Sequence, residues 1–264
     1  MADAVVVGII PARYGSTRLP GKALAPILGK PMIQWVCERS AQAGVLDSVC
    51  VATDDRRIVE AVEAFGGHAV MTRADHPSGT DRLAEAVQSM DADIVVNIQG
   101  DQPFIDPAMI DEAVAPLLAD PALPMATLMH PIHRPEDLED AGVVKTVVDL
   151  EGNALYFSRS LIPYPQKGAA RHVYEHVGLY VYRRGFLLRL AQLEPSPLEQ
   201  IESLEQLRVL EYGYKLRVVV TQCADNEFTG FSVDTAEDLE RAESMARSRG
   251  YACAEAPDAG APEG

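Results

Sequence analysis

The chain has 264 residues, and 47% of them are hydrophobic, enough for the core of one large α/β domain or two small ones. Lysine and arginine total 23 against 39 aspartates and glutamates, a formal charge of −16, which argues against nonspecific attraction to nucleic acid or to an anionic membrane face. No apolar run approaches the ~20 residues that span a bilayer, Met1-Ala2-Asp3-Ala4 lacks a basic signal-peptide start, and the four scattered cysteines form no CxxC pair, so neither a zinc site nor a disulfide framework is expected and a cytoplasmic setting is.

Along the chain, short apolar runs alternate with helical periodicity. Val5–Ile10 reads as a buried strand, Pro31–Ala43 as a helix, Val49–Ala52 as a strand and Arg56–Phe65 as a helix stopped by Gly66-Gly67. His68–Met71 is a third strand, Ser78-Gly79-Thr80 opens a helix running to about Met90, and Ile94–Ile98 is a fourth strand. This alternation predicts an α/β fold, a mostly parallel sheet with helices on both faces. After Pro121 the pattern changes. Met125–Met129, Val143–Val148, Ala154–Phe157 and Val177–Tyr182 read as strands, followed by helices at Arg184–Leu193 and Pro197–Tyr212, a strand at Leu216–Thr221 and a helix at Ala236–Arg247. We expect one domain over 1–251, with a nucleotide-binding part to about 122 and a smaller lobe over 123–251 built onto the same sheet. Pro163–Tyr174 reads as a mobile loop and Ala252–Gly264 as a disordered tail.

The segment Pro11–Lys22, PARYGSTRLPGK, carries the most chemistry. Arg13, Arg18 and Lys22 fall in one loop after the first strand, interleaved with Gly15, Ser16, Thr17 and Gly21. In so acidic a chain, three clustered cations point to a polyanion, cradled by backbone N–H groups and small hydroxyls. The loop is neither GxxxxGK[ST] nor GxGxxG, so no nicotinamide cofactor is indicated. Asp101 follows the fourth strand in Gln99-Gly100-Asp101, where parallel sheets bind ligands. Asp234 precedes the last helix in Val233-Asp234-Thr235. By itself it reads first as an N-cap, and nothing in the sequence shows that it meets Asp101. Ser78 and Gly79 start a helix whose free N–H groups suit an oxygen-rich ligand or simply a cap. Thr53-Asp54 reads as a cap, and His76 as a bystander on the surface.

Taken in order, several stretches resemble the CMP-KDO synthetase (3-deoxy-manno-octulosonate cytidylyltransferase) family: IIPARYGSTRLPGKAL at the start, VATDDRRIVEAVEAFGG at 51–67, MTRADHPSGTDRLAE at 71–85, VNIQGDQP at 96–103, ALYFSRSLIP at 154–163, HVGLYVYRR at 176–184, SPLEQIESLEQLRVLEYG at 196–213 and VDTAEDLERA at 233–242. The resemblance spans about residues 5–245. It implies a nucleotide-diphospho-sugar transferase-like fold with a sugar-binding and dimerisation lobe. It also implies transfer of CMP from CTP to the anomeric hydroxyl of an acidic eight-carbon keto sugar for lipopolysaccharide synthesis, with Mg²⁺ and release of pyrophosphate, and a homodimer. On this reading Asp101 and Asp234 hold the metal, and Arg18 and Lys22 act with them in catalysis. Ala12, Arg13, Ser16, Arg18, Lys22, Arg73, Ser78 and Gly79 bind the nucleotide.

The sugar acid needs a cation for its carboxylate and polar groups for its alcohols. Candidates are Gln99, Arg159, His176, Tyr180, Tyr182, Glu202 and Glu205. His176, Tyr180 and Tyr182 share strand parity and so one face. Glu199, Glu202 and Glu205 recur every three residues, a spacing that also describes a solvated acidic stripe. No residue stands out as a general base. The loop Asn226–Ser232 is longer than the family pattern. Three rival readings stand beside this one: transfer to an amino-KDO or sialic-type acid, transfer to a sugar 1-phosphate, and a non-catalytic nucleotide-sensing subunit.

Overall fold

The computed structural model describes residues 4–16, 18–166, 173–223 and 231–251. Thr17, the expected tail at 252–264, residues 167–172 of the expected mobile loop and residues 224–230 lie outside the described residues. The first half runs β1 (Val6–Ala12), a short hairpin of β2 (Pro26–Ile27) and β3 (Lys30–Pro31), α1 (Met32–Ser40), β4 (Ser48–Thr53), α2 (Arg56–Ala64), β5 (Ala69–Met71), α3 (Gly79–Ala86), β6 (Ile94–Asn97) and α4 (Pro107–Ala119). The second half runs β7 (Met125–Pro131), β8 (Lys145–Val148), β9 (Ala154–Ser158), β10 (Tyr174–Arg183), α5 (Arg184–Leu190), α6 (Pro197–Glu202), α7 (Gln206–Glu211), β11 (Arg217–Val220) and α8 (Ala236–Ser248).

Both halves build one sheet, in the order β11-β7-β10-β6-β1-β4-β5, with β8 paired to β10 and β9 to β8. β1 pairs parallel with β4 and β6, β4 with β5, and β7 with β11, whereas β10 runs antiparallel between β6 and β7. The sheet is therefore mostly parallel, with one reversed strand in its middle. β1 and β6 are buried throughout their apolar positions (Val6, Ile9, Ile10, Ile94, Val96), as fits strands covered on both faces. One face packs Ile33 and Val36 of α1, Ile58 and Val62 of α2, and Ile110 and Val114 of α4. The other packs Leu83 of α3, Leu187 of α5 and Leu207 of α7. After β1 the chain winds to β4 and β5 on one side, then crosses to β6 on the other. That reversal opens a crevice at the carboxyl ends of β1 and β6.

Three elements depart from the sequence reading. The sequence reading places no helix between Ile98 and Pro121, yet α4 forms there. In fact Pro107 occupies the first helical position after the Asp106 cap, where its missing N–H has no intrahelical partner to lose. The predicted helix Pro197–Tyr212 is two helices, broken where Ser203 takes φ 54°. The break abolishes the expected acidic stripe. Glu199 pairs with Arg208 at 2.5 Å, Glu202 accepts from Ser158 Oγ at 2.7 Å, and Glu205 accepts from Thr80 Oγ1 at 2.9 Å. Finally, α8 does not join either helical layer of the sheet. Its Ala242, Met245 and Ala246 pack with Trp35, Phe104 and the hairpin residues Ile27 and Leu28, and Val233 is buried in the same cluster. Burying each large apolar side chain of this cluster contributes roughly 1.5–3 kcal/mol, and the cluster carries the end of the chain back across the carboxyl edge of the sheet.

Candidate active site

The cleft at the switch point encloses about 460 Å³, within the range of small-molecule sites. Its walls are the loop after β1 (Pro11, Ala12, Arg13, Gly15, Ser16, Arg18, Lys22), the end of β6 (Gln99, Gly100, Asp101), the start of α3 (His76, Ser78, Gly79, Arg82) and Asp234. Two glycines permit this closeness. A Cβ on Gly100 would stand 3.0 Å from the Pro11 carbonyl oxygen, and Gly21 takes φ +69° with the Tyr14 ring 3.2 Å from where its Cβ would be.

The structure brings Asp101 and Asp234 together. The backbone N–H of Val233 donates to the Asp101 carbonyl at 2.9 Å, so the two segments are laced side by side. Lys22 Nζ then bridges the side chains, 2.8 Å from Asp101 Oδ2 and 3.0 Å from Asp234 Oδ1, while Arg18 Nη2 lies 2.9 Å from the same Asp234 oxygen. The Lys22 side chain is only 16% exposed. Burial works against its charge, but the two carboxylates and their hydrogen bonds outweigh it and hold the ammonium above its ordinary range. Asp234 is not the cap of α8. Thr235 caps it, accepting from Asp238 N, and Asp238 answers to the Thr235 N–H in a capping box. The Asp234 carboxylate is left free to face the cleft.

Two carboxylate oxygens from different segments thus converge on one cationic nitrogen. Among the described residues no group of three or more His, Cys, Asp or Glu could hold a metal. Two hard oxygen donors beside an open, cation-lined cleft fit Mg²⁺, which keeps several waters and takes its other ligands from substrate phosphates.

The remaining nucleotide candidates divide. Ala12, Arg13, Ser16, Ser78 and Gly79 line the cleft. Ser78 also caps α3, accepting from Asp81 N at 3.2 Å. Arg73 lies off the cleft wall. Its side chain is 68% exposed and stands 3.7 Å from Asp75 and 3.5 Å from Glu85. His76 is not surface: its side chain is 4% exposed, bonded to Glu85, and on the cleft wall. Arg82, 5% exposed, also lines the cleft and was not singled out from the sequence, where it reads as one more charged helix residue.

The sugar candidates gather on and around β10, behind Gln99, whose side-chain amide donates to the Gly178 carbonyl at 2.9 Å. Gly178 lies in a bulge of β10 between Val177 and Tyr180. His176 Nε2 is 3.0 Å from Thr127 Oγ1, its ring 5.2 Å from Tyr180, and Tyr180 is 6.2 Å from Tyr182. The three rings share one face, as the strand parity requires. Tyr180 donates to Gln206 Oε1 at 3.1 Å, and burial raises the pKa of both tyrosine hydroxyls. Burial also raises the pKa of Glu205, whose Oε1 has no partner among the described residues. Arg159 donates Nε to Glu202 O (2.8 Å), Nη1 to Ala141 O (2.9 Å) and Nη2 to Ser203 O (3.4 Å), while Glu202 accepts from the Arg159 N–H. Here Arg159 ties the β9 end to the α6–α7 break, and none of these six residues lies on the wall of the switch-point cleft.

Burial lowers the His176 pKa to about 3, so the folded ring is neutral throughout the physiological range. An unfolded histidine protonates near pH 6.5, so between these values unfolding takes up a proton. Stability therefore falls as pH falls, by up to about 1.4 kcal/mol per unit from this residue. In denaturant melts from pH 7 to 4.5, His176→Gln is expected to flatten that slope; parallel slopes in variant and wild type would show that His176 does not remain neutral.

A doubly covered sheet, a switch-point cleft, a basic loop after the first strand and a converging carboxylate pair define a nucleotidyltransferase. The sequence pattern of one such family, cytidylyltransferase, matches residues 7–245, and the chain belongs to that family. It is 54% identical over 247 residues to the 3-deoxy-manno-octulosonate cytidylyltransferase of Geobacter metallireducens, covering 89% of this chain and 95% of that one. With the protein of the same description from Syntrophotalea carbinolica it shares 53% over 251 residues, 92% and 98% of the two chains. Among solved structures, a CMP:2-keto-3-deoxy-manno-octonic acid synthetase complexed with CTP superposes with a TM-score of 0.87 at 46% identity, over 93% of this chain and all of that one.

Proposed function

We propose that the chain transfers CMP from CTP to the anomeric hydroxyl of 3-deoxy-manno-octulosonate, releasing pyrophosphate and supplying an activated sugar for lipopolysaccharide synthesis. The observation that carries this reading is the convergence of Arg18, Lys22, Asp101 and Asp234 at one point of the cleft. The relatives' descriptions name the same reaction. Arg13, Arg18 and Lys22 bind the triphosphate and stabilise charge that builds on the departing pyrophosphate as the sugar hydroxyl attacks the α-phosphorus in line. Asp101 and Asp234 would hold Mg²⁺, which would supply Lewis-acid chemistry at the phosphates. The backbone N–H groups at the start of α3 meet oxygens of the nucleotide. Gln99 presents its side-chain amide to the sugar from the cleft wall, held from behind by the Gly178 carbonyl of β10.

We further place the protein in the cytoplasm as a homodimer. No helix among the described residues is long and apolar enough to cross a membrane. Leu150, Leu155 and Ile201 are exposed large apolar side chains on the second half, of the kind that contact with a second copy covers. The test of the reaction is pyrophosphate release with CTP, Mg²⁺ and a panel of acidic sugars. Turnover is expected with 3-deoxy-manno-octulosonate in preference to its amino analogue and to sialic acids. Preference for another acid reassigns the substrate, and the absence of turnover with every acid overturns the reading.

A further inference from the structure

We propose that Arg57 and Tyr14 form a brace that sets the shape of the triphosphate-binding loop before the nucleotide arrives, with Arg57 a positioning residue that touches no substrate. The inference rests on the nucleotide-transfer reading and adds to it a residue outside the cleft wall. Tyr14 is the centre of the loop after β1. Its carbonyl accepts from the Ser16 N–H at 2.9 Å and from the Gly21 N–H at 3.0 Å, so one acceptor ties the stretch that carries Ser16 to the turn that leads into Lys22. Its ring lies against Gly21, where a Cβ would stand 3.2 Å from the ring's Cε2, Cζ and Oη and the backbone takes φ +69°. The position of the ring therefore bears on the position of Gly21, and through it on Lys22. Arg13, Ser16, Arg18 and Lys22 line the cleft, whereas Tyr14 and Arg57 do not.

Arg57 holds the ring from the neighbouring strand-to-helix turn. Its guanidinium carbon stands 3.3 Å from the centre of the Tyr14 ring, the distance at which a planar cation stacks on an aromatic face. The same guanidinium is fixed from behind in a two-pronged contact with Asp55, Nε 2.9 Å from Oδ1 and Nη2 2.6 Å from Oδ2. Asp55 is itself anchored as the cap of α2, where it accepts from the Arg57 N–H at 2.9 Å. Asp55, Arg57, Tyr14 and Gly21 thus form a chain of contacts from the start of α2, beyond the carboxyl end of β4, to the loop after β1. A loop that must be ordered by its ligand loses affinity to that ordering, and a loop already held in shape does not. Only a guanidinium can lie flat on the ring and grip both oxygens of Asp55 together, because an ammonium is a point charge without a plane.

The alternative is that the stack is a surface contact with no bearing on the loop. Calorimetric titration of CTP with Mg²⁺ and without sugar separates the two in wild type, Arg57→Ala, Arg57→Lys, Tyr14→Leu and the double variant of Arg57→Ala with Tyr14→Leu. Amide hydrogen exchange of the nucleotide-free proteins is read beside it. Arg57→Ala is expected to weaken CTP binding about two- to fivefold, the scale of an exposed cation–π contact. It is expected to speed exchange at the Ser16 and Gly21 N–H groups and to leave that of Ile98, bonded within the sheet to the Ile9 carbonyl, unchanged. Helix α2 keeps its cap in this variant, since Asp55 accepts from the backbone of residue 57. Arg57→Lys keeps the charge without the plane and is expected to stay closer to Arg57→Ala than to wild type. The double variant is expected to bind no more weakly than Tyr14→Leu; if Tyr14→Leu does not fold, the two Arg57 variants carry the test. Unchanged CTP affinity or unchanged Ser16 and Gly21 exchange in Arg57→Ala, full recovery in Arg57→Lys, or losses that simply add in the double variant overturns the brace. A wild type that binds no CTP overturns the transfer reading and the brace with it. A wild type that binds CTP, with the expected losses in the variants, but transfers CMP to no acid overturns the transfer reading alone.

Discussion

Asp101→Asn and Asp234→Asn are each expected to lower turnover by about 100-fold or more, roughly 2.7 kcal/mol of transition-state stabilisation. Each substitution keeps the shape and removes a charge that a hard cation needs. The two carboxylates converge on one point, so the double variant is expected to be little worse than either single one, because groups acting as a unit are not additive. The fold is expected to survive. Asp234 is outside the capping box of α8, which Thr235 and Asp238 complete without it. Its ion pairs with Arg18 and Lys22 are partly solvated, and such pairs are worth about 1 kcal/mol or less. Steady-state rates across a Mg²⁺ titration, read beside melting curves, decide the matter. Wild-type rate and metal dependence in Asp234→Asn would remove it from the metal pair.

Lys22→Met is expected to produce the second largest effect, and one with two opposite signs. The ammonium is a charge-assisted partner of both aspartates and, on our reading, of the triphosphate. Losing such a contact costs about 1.5–3 kcal/mol, which corresponds to a ten- to 100-fold loss in CTP affinity or turnover. Without nucleotide, however, the variant leaves two carboxylates facing each other with Arg18 paired to Asp234 alone. A divalent cation then relieves their repulsion instead of displacing an ammonium. Mn²⁺ titration by electron paramagnetic resonance is therefore expected to show tighter metal binding in Lys22→Met than in wild type. Equal metal affinity in the two proteins would mean that the bridge and the metal do not compete for one position.

The sequence by itself determined the parallel sheet, because buried strands read as continuous apolar runs and the helices between them show their own period. It also pointed to a polyanion site after β1, since three cations in one loop of an acidic chain need no tertiary information to be noticed. The stop of α2 was legible from Gly66, whereas its cap is Asp55 and not the Thr53-Asp54 that reads as one, and α4 opens at Pro107 where no helix is expected. The tertiary structure alone decided which local role each ambiguous residue fills. Asp234 and Thr235 are equally good caps on paper. The burial of Val233 and the packing of α8 on Trp35 turn the first to the cleft and leave the second to cap. The glutamates of α6 and α7 have the spacing of a solvated stripe. The left-handed turn at Ser203 sends them to three different partners, and no periodicity announces it. His76 reads as a surface residue because its neighbours in sequence are polar, and it is buried because Glu85, two turns along the next helix, comes back to meet it. Local pattern reports what each segment can form from its own residues. The pairing of distant charges depends on chain reversals whose cause is the packing of the whole core.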